Sequence, residues 1–252
     1  MSTPTIFPYS LGSDSPEPTG ERVQQRPAEI KPIPILREYF QALLDAFGPQ
    51  KWWPGRTRFE IIVGAILTQN TNWTNVERAI RGLRRAGLLT AAGIAGTPVD
   101  KLAELIRSSG YFRQKAQKLQ EFVRFLKTEH DGSLKKMFGT TTAELREQLL
   151  GVHGIGPETA DSILLYAGKH PVFVVDAYTR RILVRHEVVP EKSSYEEIRG
   201  LMEKSLPPSV AVYNEFHALI VDVGKRFCRP KAPKCSACPL NCFLPRQIEG
   251  AR

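Results

Sequence analysis

Apolar residues along this chain recur at helical spacing far more often than at strand spacing. Leu36, Phe40, Leu43 and Phe47 share one face of a helix beginning near Ile35. Phe59, Ile62, Val63, Ile66 and Leu67 repeat the pattern and predict a buried helix face. The turn-like stretch between them, 48–57, holds the adjacent Trp52 and Trp53. Glycines and the Thr97-Pro98 pair punctuate further helices expected near 74–86, 98–108, 113–128 and 142–150. Helices near 177–186, 194–204 and 208–225 complete the set. The run 171–175 is apolar and β-branched and, taken alone, reads as a strand. No second run offers it a partner, so it is expected as a buried extended connection in an all-α protein. Residues 1–34 carry seven prolines and few large apolar side chains, which predicts a mobile tail. Residues 243–252 are read as a second tail.

Charge changes this picture. Against 26 acidic residues stand 35 lysines and arginines, a net charge of +9. Such a surplus points to a polyanionic partner, with a solvated basic surface as the competing reading. Residues 1–20 lack the basic start and apolar core of a signal peptide. No stretch approaches the roughly 18 apolar residues that would span a membrane. All four cysteines fall between Cys228 and Cys242. A disulfide framework would spread them to staple distant segments, whereas this clustering suits a metal site in a reducing compartment. The expected location is the cytoplasm.

The densest chemistry lies in the stretch Leu149-Leu150-Gly151-Val152-His153-Gly154-Ile155-Gly156-Pro157-Glu158-Thr159-Ala160. Pro157 stands where a first helical residue belongs, and Ala160, Ile163, Leu164 and Ala167 give the next helix an apolar face. Glycines at 151, 154 and 156 would let the backbone approach a phosphate, towards which the following helix amides point. A plain tight turn between packed helices is the alternative. Beyond it comes Val174-Val175-Asp176-Ala177-Tyr178-Thr179. Asp176 reads as an N-cap for the next helix, and a capping carboxylate is also held ionised and oriented.

Hairpin, helix, apolar run and aspartate, in that order, resemble the helix-hairpin-helix glycosylase superfamily that includes endonuclease III. Leu67-Thr68-Gln69-Asn70-Thr71 and Gly110-Tyr111-Phe112-Arg113-Gln114-Lys115-Ala116 extend the resemblance, which covers about residues 35–242. It implies an all-α protein of two helical domains flanking a DNA-binding cleft. A six-helix barrel over 58–168 with its hairpin at 151–156 would face a second domain built from 35–57 and 169–227. It further implies that Asp176 is catalytic and that Gln69, beside Asn70, helps fill the gap left by an extruded base. Gly151, His153, Gly154 and Gly156 would meet phosphates. Breaking an N-glycosidic bond builds positive charge on the sugar, which an ionised aspartate stabilises while orienting water. Bifunctional members place a lysine two residues after the second hairpin glycine. Here that position is Glu158, and a carboxylate cannot form a Schiff base. A monofunctional enzyme is therefore expected, with Lys169 a substitute amine that no spacing recommends.

Trp52-Trp53-Pro54, Phe59-Glu60 and Leu67–Thr71 narrow the resemblance to the branch called 3-methyladenine DNA glycosylase III. In that branch the positions of Trp52 and Trp73 stack on the base. Electron-rich indoles suit an electron-poor alkylated purine; the alternative is that Trp52, Trp53 and Trp73 only fill an interface between helices. The cysteines are spaced Cys228-x6-Cys235-x2-Cys238-x3-Cys242. Endonuclease III relatives share the first two intervals and bind a [4Fe-4S] cluster, with zinc as the alternative occupant. Lys225 and Arg226 crowd the first cysteine and would meet phosphates. The reading is then a monomer acting on double-stranded DNA with a flipped damaged base, hydrolysing out an alkylated purine. Two rivals stand beside it: a glycosylase for damaged or mismatched pyrimidines, and a non-catalytic helix-hairpin-helix DNA-binding protein.

Overall fold

A computed structural model describes residues 33–50 and 55–245. Trp52 and Trp53, nearly all of the proline-rich segment and the last residues 246–252 lie outside them. Every regular element among the described residues is a helix, without a strand. In order they form α1 (Ile35–Phe47), α2 (Arg58–Leu67), α3 (Trp73–Arg85), α4 (Ala91–Ala95), α5 (Val99–Leu105), α6 (Phe112–His130), α7 (Leu134–Met137), α8 (Thr142–Gly151), α9 (Pro157–Ser162), α10 (Ala177–Arg185), α11 (Tyr195–Ser205) and α12 (Val210–Arg226). No helix among them is long and apolar enough to cross a membrane. The segment expected as one helix over 98–108 is broken: α5 ends at Leu105 and a 3₁₀ turn, Arg107–Ser109, follows. The short α4 and α7 were not expected, because neither is long enough to show a period.

Short polar side chains start most of these helices. Thr57, Asn72, Thr90, Ser133, Thr141, Ser194 and Ser209 each accept a backbone amide at the head of the helix they precede. Such caps contribute about 1 kcal/mol apiece. Ser194 and Glu197 complete a reciprocal capping box.

Two apolar cores result. The first gathers α2 to α9, with Ile62, Ile66, Val76, Leu83, Leu119 and Ile163 among its sealed members. Helix α2 is buried nearly all round, as its almost unbroken apolar sequence requires. Its one acid, Glu60, is buried and paired with Arg84 at 2.7 Å. The second core joins α1 to α10, α11 and α12 through Leu36, Tyr39, Leu183, Met202 and Phe216.

The wall between the cores is the second helix of the hairpin. α9 runs on into a π-helical turn, Ile163–Gly168. Ile163, Leu164 and Ala167 face the first core, while Leu165 and Tyr166 face the second. The wider π turn lets one short segment serve both sides, and such turns collect at functional sites.

The run 171–175 is a buried extended connection, as expected. Its amides need no partner strand because α11 supplies acceptors. The Phe173 amide donates to Glu203 Oε1 at 2.9 Å, and the Val175 amide to the Tyr195 hydroxyl at 3.3 Å.

Candidate active site

That connection delivers Asp176 to the head of α10. Its Oδ1 accepts from the Thr179 amide at 2.8 Å and the Thr179 hydroxyl at 3.0 Å. Oδ2 faces α12, 3.6 Å from His217 Nε2. The Asp176 side chain is 13% exposed. Behind it, the Tyr166 hydroxyl and His217 Nδ1 lie 2.5 Å apart, which ties the π turn to α12. α12 comes this close to α10 because Gly224 has no side chain: a Cβ there would stand 2.2 Å from the Tyr178 ring.

Burial opposes charge on Asp176, but His217 and the two Thr179 donors outweigh it and hold the carboxyl below its ordinary range. Glu158 moves the other way. It is open to solvent yet walled by protein, and its carboxyl is pushed up to about 7, first by lost hydration and then by the Asp176 charge; His217 works against both. The two carboxyls are thus pushed in opposite directions, Asp176 towards its charged form and Glu158 towards its neutral one.

The hairpin stands beside them. Gly154 has φ +85°, which a side chain rarely adopts, and the Lys118 stem fills the space above it. Gln69 donates from Nε2 to the Gly154 carbonyl at 3.1 Å and to the Thr159 hydroxyl at 2.9 Å. Asn70, at φ 54°, turns outward, and Gly151, His153 and Gly156 are exposed. The Gln69 turn and the hairpin are therefore tied into one surface by hydrogen bonds.

Comparison with known proteins settles what carries this arrangement. The description "HhH-GPD superfamily base excision DNA repair protein" matches residues 63–208, a span holding Gln69, the hairpin and Asp176. This chain belongs to the HhH-GPD superfamily. "Putative DNA repair glycosylase MJ1434" of Methanocaldococcus jannaschii is 47% identical over 211 residues, covering 83% of this chain and 95% of that protein. Endonuclease III of Thermotoga maritima is 29% identical over 191 residues, covering 76% and 82%. Among solved structures, the Helicobacter pylori 3-methyladenine DNA glycosylase (MagIII) bound to 1,N6-ethenoadenine superposes with a TM-score of 0.64 at 30% identity. It covers 76% of this chain and 96% of that one. An endonuclease III–DNA complex superposes at 0.71 with 21% identity over 83% and 94%, a likeness of fold.

In this HhH-GPD protein the remaining expected residues are spread unevenly around the site. Trp73 opens α3, is half-buried against the first core and donates from Nε1 to Glu77 at 3.0 Å. Trp52 and Trp53 fall outside the described residues, so their place in a base pocket is not described. Arg226 is held by Asp222 at 2.9 Å and lies over the Phe47 ring, while Lys225 beside it is exposed.

Cys228 is buried, Cys235 and Cys238 are half-buried and Cys242 is exposed, all four as free thiols. Burial raises the Cys238 thiol, and Cys228, Cys235 and Cys238 line one small cavity. Arg185 donates to Cys228 Sγ at 3.0 Å. Among the described residues no three metal-binding side chains already converge as a ligand set. Four gathered soft sulfurs nonetheless fit an iron–sulfur cluster or zinc by donor chemistry.

His217, Tyr166 and Lys118 were not singled out from sequence. Each sits on a helix face whose period reads only as core or surface, and only the packing of α6, α9 and α12 brings them to the site.

Proposed function

We propose that this HhH-GPD protein is a monofunctional DNA glycosylase that hydrolyses the N-glycosidic bond of alkylated purines, resembling 3-methyladenine, in double-stranded DNA. The reading rests on one observation: Asp176 is held by Thr179 and faced by His217, with Glu158, a carboxyl, at the position that a lysine fills in the family's lyases.

The target nucleotide leaves the stack, and Gln69 occupies the gap while the hairpin amides hold the phosphates. The bond from C1′ to the purine nitrogen breaks and its electron pair leaves with the base. An adenine methylated at N3 carries positive charge and departs as a neutral molecule, so little acid assistance is needed. Asp176 stabilises the positive sugar and orients a water whose oxygen bonds to C1′. The water proton passes to Asp176 and on to solvent. Glu158, neutral below about 7, adds no second negative charge beside Asp176. Trp73, with Trp52 and Trp53, would stack on the base; likeness to the ethenoadenine-bound enzyme at 30% identity supports this choice of substrate.

Cys228, Cys235, Cys238 and Cys242 would hold a [4Fe-4S] cluster. When bound it supplies cross-linking of a short loop rather than chemistry on the base.

The deciding experiment is single-turnover base release from duplexes carrying 3-methyladenine, 1,N6-ethenoadenine, an oxidised pyrimidine, or thymine opposite guanine. Release confined to the alkylated purines is the expected result. Release of pyrimidines alone overturns the substrate, and binding with no release from any duplex overturns the enzyme.

A further inference from the structure

Both legs of the hairpin are clasped through one buried carboxylate. Arg146, on α8, donates from Nε to Asp161 Oδ1 at 2.7 Å and from Nη2 to Oδ2 at 3.2 Å. Asp161 lies on α9, one turn past Glu158, and is fully buried. Its Oδ2 also accepts from the Tyr195 hydroxyl of α11 at 2.8 Å. That hydroxyl in turn accepts from the Val175 amide at 3.3 Å. Val175 is buried and immediately precedes Asp176. A phenolic hydroxyl carries one proton and can accept as well, so it serves the carboxylate and the amide together. Burial first, and then the Asp161 charge, push the Tyr195 hydroxyl above its ordinary range, so it keeps the proton that it donates.

From this geometry we infer that Tyr195 is a positioning residue for the reaction: its hydroxyl sets the place of Asp176 relative to the hairpin that grips DNA. The inference rests on the proposed roles of Asp176 and the hairpin. Thr179 fixes the carboxylate within α10, and the Tyr166–His217 contact joins α12 to the far end of the hairpin's second helix. Tyr195 ties the residue next to Asp176 to the hairpin's own carboxylate. Without that hydroxyl the buried Val175 amide loses its acceptor. Asp176 can then shift against a sugar whose phosphates stay on the hairpin, and a displacement of about 1 Å can cost about a hundredfold in rate.

Tyr195→Phe keeps the ring that packs on the second core and removes only the hydroxyl. Hydrogen exchange at the Val175 amide reads the tether itself, without DNA, and should quicken at least about tenfold in the variant. Single-turnover release is measured at saturating protein on whichever lesion duplex the wild-type protein acts upon. It should fall by about ten- to a hundredfold, while affinity for a duplex carrying a tetrahydrofuran abasic-site analogue stays within about threefold. Tyr39→Phe, which instead loses a buried hydroxyl contact with His186, should keep the wild-type rate. Unchanged Val175 exchange overturns the inference, as does a folded Tyr195→Phe that releases base at the wild-type rate. Equal losses in the two variants, or affinity lost as steeply as rate, overturn it too. A wild-type protein that releases no base, with Val175 exchange quickened as expected, counts against the proposed reaction alone.

Discussion

His217 Nε2 stands 3.6 Å from Asp176 Oδ2, while the Tyr166 hydroxyl lies 2.5 Å from the opposite ring nitrogen. The imidazole is clamped between a buried phenol and the carboxylate that the glycosylase reading needs charged. Burial by itself would push Asp176 towards its neutral form; His217 and Thr179 reverse that. The charge at the site is therefore a product of α10 and α12 meeting at one place.

Replacing His217 by Gln removes the main opposing influence on Asp176. The Asp176 carboxyl then rises, so the acid limb of the pH–rate profile should move to higher pH. Release well above that limb should stay within about tenfold of wild type. An unmoved acid limb in a folded variant would show that His217 does not support the charge.

Glu158 makes the opposite prediction. Its carboxyl is neutral below about 7 and ionises above it, placing a second negative charge near Asp176. Base release should fall as pH rises through that value, and Glu158→Gln, neutral at every pH, should lose this fall. A fall kept by the variant assigns the titration elsewhere. For the same reason, borohydride should trap no covalent complex of the wild-type protein with lesion DNA, since no amine stands at this position.

Most of the fold was legible before any coordinates, because the 3.6-residue period of runs such as 59–67 and the caps at Thr57, Asn72 and Ser194 are written locally. The break after Leu105 was not, since the 3₁₀ turn that follows, where the Ser109 hydroxyl donates to the Ile106 carbonyl at 2.7 Å, leaves no mark on the apolar period. Asp176 and Gln69 stood out by their place between motifs. His217 and Lys118 did not, because a histidine in α12 and a lysine in α6 acquire meaning only from the Asp176 and Gln69 side chains they meet.

Stability should also depend on a buried ionic link. Asp161 is fully buried, with Arg146 donating at 2.7 and 3.2 Å and the Tyr195 hydroxyl at 2.8 Å. Arg146→Met leaves that carboxylate without its main cation and should cost about 3 kcal/mol in urea unfolding. A change below about 1 kcal/mol would mean that Arg199, at 3.9 Å, already suffices.

The cysteine loop is tested by iron and acid-labile sulfide content. Fresh protein should carry both, and Cys235→Ser should lose them together with thermal stability. Stoichiometric zinc without sulfide would replace the cluster by a zinc site.

The central claim is that an ionised Asp176 drives hydrolysis at C1′, and Asp176→Asn tests it with the least change in shape. Single-turnover release of 3-methyladenine from duplex DNA should fall by about a thousandfold, with affinity for an abasic-analogue duplex kept within a few-fold. Turnover retained near the wild-type rate by a folded Asp176→Asn would contradict the account.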